Sequence, residues 1–180
     1  MSIRSHVSAR TVLAAAAAGL GALGVTAPQV AAADQPVLSI SVKADQHTKA
    51  IAAAHPTAAA AGATVCGTGY GLYKAEQLPD ARRFATLFVY VKGDKPSTNE
   101  APTCAILDNN ASGPKWMKIK LCSNYTAEGC ASDAGVYSQY AGPVYRNHGG
   151  CGSVTSLMSS STSSSAPLLV NNVTDATNCD

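Results

Sequence analysis

Six cysteines, Cys66, Cys104, Cys122, Cys130, Cys151 and Cys179, all fall in the C-terminal two-thirds of this 180-residue chain. The chain opens as an export signal does, so the expected fate of these thiols is oxidation to disulfides. Arg4, His6 and Arg10 supply a positive start, and Thr11 to Val25 is an uncharged apolar stretch. Ala31, Ala32 and Ala33 then supply small residues for cleavage before Asp34. Gly19, Gly21, Gly24 and Pro28 interrupt the run, whereas a retained span wants ~20 strongly apolar residues. No Arg-Arg pair precedes it, which favours the general export route.

Six cysteines allow about 15 pairings. Cys122 and Cys130 bracket a short polar run, Ser123 to Gly129, and a hairpin of that length would bring their Cα atoms within the ~4.4–6.8 Å that a disulfide needs. For the other four, Cys66–Cys104 and Cys151–Cys179 are the preferred partners, although spacing alone does not force that choice. A metal site is not expected. No Cys-x-x-Cys occurs, and His148 is the only histidine after Cys66.

The same boundary divides the composition. The ten aromatic residues (one Trp, seven Tyr, two Phe) all lie beyond Cys66. Aromatic and branched side chains supply most of the apolar area a core removes from water. The expected organisation is therefore a signal peptide over residues 1–33, an Ala-rich spacer or pro-region over 34–65, and a disulfide-stapled domain over 66–180. The spacer holds ten alanines in 32 residues, with strand-like alternation from Val37 to Val42 and a helical turn or two near Lys49 to Ala54 before Pro56. Beyond Cys66 nine Lys/Arg balance nine Asp/Glu. A neutral domain lacks the basic field that nucleic-acid binding requires.

Arg83 to Val91 is apolar on both alternating faces, as expected of a central strand buried on two sides. Lys92 to Pro96 ends it as a turn. Thr103 to Leu107 reads as a short strand. Trp116 to Leu121 alternates, with Met117, Ile119 and Leu121 inward and Trp116, Lys118 and Lys120 on the other face. Val136 to Tyr145 is strand-like but broken at Gly142-Pro143, which places the break at a bulge or an edge. Ten of the thirteen residues Ser153 to Ser165 are Ser or Thr, an exposed loop or a polar strand edge with its tip at Ser159 to Ser165. Leu168 to Val170 offers a last strand. Short strands with frequent turns predict an all-β fold, a small antiparallel sandwich or barrel.

Cys66-Gly67-Thr68-Gly69-Tyr70, then Tyr140-Ala141-Gly142-Pro143-Val144-Tyr145, then Cys151 and a cysteine near the C-terminus, resemble spore-associated protein A and its secreted relatives from filamentous actinobacteria. The resemblance spans roughly Cys66 to Cys179, and Cys66, Cys104, Cys151 and Cys179 stand where that family places its four cysteines. Cys122 and Cys130 are an addition, and Gly152-Ser153-Val154 replaces the family's Trp-Gly-Gly-like run. The resemblance implies an exported protein of aerial growth or spore surfaces with no established chemistry.

A serine nucleophile would need His148 as its base, yet His148 lies in a glycine turn and no Gly-x-Ser-x-Gly elbow occurs. Asp80, Asp94, Glu100, Asp108, Glu128, Asp133 and Asp175 could offer paired carboxylates, but most sit in turn-like contexts. No catalytic residue and no cofactor are therefore expected. Trp116, Tyr137, Tyr140 and Tyr145 could form an exposed platform for sugar rings, or could instead fill the core. The expected partners are spore or cell-surface components, with no nucleic acid and no membrane after cleavage. The rival is a binding module, for a polysaccharide or, through Ser123 to Gly129, for a secreted peptidase.

Overall fold

A computed structural model describes residues 37–93 and 95–179. The expected signal peptide and its cleavage point lie outside the described residues. The two-faced apolar run becomes β2 (Ala85–Lys92), in which every residue from Ala85 to Val91 is buried. It is flanked by β1 (Tyr70–Leu78) and β3 (Thr103–Asn109), and β6 (Tyr140–Arg146) continues the sheet beyond β3. A second sheet has the order β5-β4-β7-β8, from β4 (Lys115–Cys122), β5 (Cys130–Tyr137), β7 (Ser153–Ser159) and β8 (Leu168–Asp175). Every strand pair in both sheets is antiparallel. The fold is a two-sheet sandwich and does not close into a barrel.

Leu87, Val89, Leu107 and Val144 of the first sheet meet Met117, Ile119, Leu121, Val154 and Met158 of the second. Each such side chain contributes roughly 1.5–3 kcal/mol when fully buried. The opposite face of β2, with Phe88 and Tyr90, belongs to a second cluster that also holds Leu72, Cys104 and Ile106. What covers that face is the stretch expected to be a spacer.

The described part of residues 34–65, expected to be a spacer or pro-region, packs on the first sheet and is not a free spacer. Ile40 bridges Leu72, and two helices follow, α1 (Gln46–Ala54) and α2 (Pro56–Cys66). Asp45 caps α1 by accepting the Thr48 N–H at 2.6 Å, and Pro56 opens α2 at a position where its missing donor costs nothing. Ile51, Ala52 and Ala59 are buried against the sheet. The physical reason is close approach. The sheet supplies the large side chains, so the helices need only small ones.

Two further expectations change. Val136 to Tyr145 is not one strand but the end of β5, a turn, and β6. Gly142-Pro143 does lie on an edge strand, where the β3–β6 register shifts. The Ser/Thr-rich run is neither loop nor edge over Ser153 to Ser159, because β7 lies between β4 and β8. Val154 and Met158 carry its inward face, with Ser156 between them.

Candidate functional site

The six cysteines form three pairs, and no cysteine is left free. Cys66–Cys104 fastens the end of α2 to β3 with Cα atoms 5.9 Å apart. Cys122–Cys130 joins two residues that face each other in the β4–β5 ladder. Cys151–Cys179 ties the turn before β7 to the chain beyond β8, with Cα atoms 5.5 Å apart. Each staple holds a different join of the fold.

The aromatic residues proposed as one platform are dispersed. Tyr140 and Tyr145 share the helix-covered face of the first sheet, since their register partners are Asp108 and Cys104. The Tyr145 hydroxyl donates to the Val65 carbonyl at 2.6 Å, and its ring meets Tyr70 edge to face. Tyr137 packs on the inter-sheet core and donates to Asp133 at 2.6 Å. Burial, with the Asp133 carboxylate beside it, pushes its pKa up to about 12. Trp116 alone stands on the outer face of the second sheet, opposite Val136. The four therefore cannot receive one ligand together.

Sequence reasoning left His148 solvated, whereas the structure gives it partners. Its Nδ1 lies 3.0 Å from Glu128 Oε2 and its Nε2 3.6 Å from Glu100 Oε2. The Tyr125 ring meets the imidazole edge to face at 5.0 Å, and the Tyr125 hydroxyl donates to Glu100. Glu128 also accepts the Asn147 N–H at 2.7 Å. Partial desolvation opposes ionisation of Glu128, but the Asn147 N–H and the His148 ring help to outweigh it and hold the carboxyl below its ordinary range. Ser123 Oγ donates to the main-chain carbonyl of His148, not to its ring. Glu128 thus braces the Ser123–Gly129 loop against the Asn147–His148 turn. No local motif announces it, because Glu100 and Glu128 come from other turns.

The first sheet is covered by helices, whereas no described element lies over the outer face of the second. Its central strand β4 presents Trp116, Lys118 and Lys120 there, beside Val136, Leu157 and Val173. Val136 and Val173 are 52% and 65% exposed. This open face is the candidate functional surface. Lys115, the first residue of β4, has the opposite parity and donates to the Ser112 carbonyl. No family model, no curated protein and no solved structure matches this chain.

Proposed function

We propose that this chain is an exported, non-catalytic protein associated with a cell or spore surface, of the spore-associated protein A-like kind. The observation that carries the reading is that the three disulfides leave no cysteine free. Such pairing persists in oxidising compartments and is rare where thiols are kept reduced. Fractionating a producing culture tests the location. Recovery in the medium or in a gentle surface wash of cells or spores is the expected result, and confinement to the cytosol contradicts it.

A second reading, a binding module, is favoured by the uncovered face around Trp116. The peptidase-inhibitor version has less support. A loop that imitates an extended substrate must keep its backbone groups free for the enzyme. Here the Glu128 and Gly129 N–H groups both donate to the Tyr125 carbonyl, which folds the loop on itself. Polysaccharide is the better ligand class for this module.

A further inference from the structure

We infer that the outer face of the second sheet binds an acidic polysaccharide, one whose sugar rings carry carboxylates. The inference rests on the binding-module reading and narrows its ligand.

Trp116, Lys118 and Lys120 occupy alternate positions of an interior strand, so they project from one face about 6.8 Å apart along β4. Val136 beside Trp116, with Leu157 nearby, adds apolar surface. A sugar ring offers an apolar C–H face for stacking on an indole, and its carboxylates supply the charge that Lys118 and Lys120 lack. Neither ammonium is paired with a carboxylate among the described residues. Their cross-strand neighbours on this face are Ala134, Ser132, Leu157 and Thr155, all uncharged. Asp175 is the acid on this face, and it lies on β8, two strands from β4, about 10 Å sideways.

Charge also argues against two other occupants. A second copy docking face to face would press lysine against lysine, and like charges so placed cost affinity. Phosphate polymers are best held by Arg forks and free backbone N–H groups. This face carries no Arg, and the backbone donors of an interior strand are committed to its ladders.

The test is calorimetric titration of the exported protein with polygalacturonate, its fully methyl-esterified form, and polyphosphate, at low and high salt. The free-acid polymer is expected to bind and to change Trp116 fluorescence, with affinity falling as salt screens the lysines. The paired change Lys118→Gln and Lys120→Gln should weaken it at least tenfold, about 1.4 kcal/mol. Trp116→Ala should abolish measurable binding, and Trp116→Phe should restore part of it. These outward side chains leave the core intact, which circular dichroism of each variant checks. Equal binding of the esterified polymer overturns the acid preference while leaving a polysaccharide module standing. Polyphosphate binding as tightly as polygalacturonate, dimerisation blocked by Trp116→Ala, or affinity unchanged in the lysine variants each overturns the inference. No binding of any polymer removes both the inference and the module reading, while the surface location stands on its own fractionation.

Discussion

The Tyr90 hydroxyl, fully buried, donates to the Ala59 carbonyl of α2 at 2.7 Å, directly beneath Gly62. That bond joins the central strand of the first sheet to the helices that cover it. A Cβ on Gly62 would lie 2.2 Å from the Tyr90 oxygen, so the helix can sit this close only with glycine there.

Gly62→Ala therefore sets two effects against each other. Helix propensity alone favours alanine by up to ~1 kcal/mol. Overpacking a filled site costs roughly 1–3 kcal/mol, and the obstructing atoms belong to a rigid ring inside the core. Overpacking is expected to win, lowering the midpoint of denaturant unfolding. A raised midpoint would show that α2 does not rest on Tyr90.

The staples should rank by the length of chain they close. The separations are 38 residues for Cys66–Cys104, 28 for Cys151–Cys179 and 8 for Cys122–Cys130. Chain-entropy reasoning gives about 4, 3.5 and 2.5 kcal/mol respectively. Replacing each pair by alanine and comparing unfolding free energies checks the order. The Cys122–Cys130 variant is expected to remain the most stable of the three.

Burial pushes the Asp108 carboxyl above its ordinary range, and His55 only partly offsets this. A raised folded pKa favours the protonated form, so its stabilising contribution is present below the unfolded value and lost as pH rises through the folded one. At neutral pH the ionised group is a liability. Asp108→Asn should raise the melting temperature at pH 7, and the gain should shrink as pH falls through the raised value towards the ordinary carboxyl range. A gain independent of pH would assign the effect to something other than ionisation.

For Tyr137 the window lies at the alkaline end. With its pKa raised to about 12, the folded state keeps the phenol proton longer than the unfolded chain does. Stability is fully present below pH ~10 and falls between there and about 12. Tyr137→Phe should reduce the slope of that fall without removing it, since burial also raises Tyr70 and Tyr145. An unchanged slope would mean that the Asp133 bond does not hold Tyr137.

Glu128→Gln tests the brace. Glutamine keeps one acceptor oxygen but loses the charge that favours the His148 and Asn147 contacts. Faster hydrogen exchange at the Asn147 and His148 amides is expected, with the sandwich amides unaffected. No change there would place the loop's rigidity in the Cys122–Cys130 staple alone.

What the sequence made legible follows the range of the interactions. β2 and β4 could be read because alternation is a property of neighbouring residues. The role of α1 and α2 could not, since the apolar bulk that holds them is contributed by Phe88 and Tyr90 some thirty residues later. Ser-rich β7 looked peripheral because its place between β4 and β8 depends on topology. Strand parity placed Trp116 on one face with Lys118 and Lys120, but nothing local could say that Tyr145 and Trp116 belong to different sheets. His148 acquired its partners the same way, from loops 20 and 48 residues back along the chain.

Oxidised sulfur outside the cell, holding a sandwich together, is the claim on which the rest depends. A peptide map of protein recovered from culture, digested without reductant and with free thiols blocked, tests it most directly. The expected map contains Cys66–Cys104, Cys122–Cys130 and Cys151–Cys179 and no alkylated cysteine. Intracellular protein with alkylated thiols at these positions would contradict it.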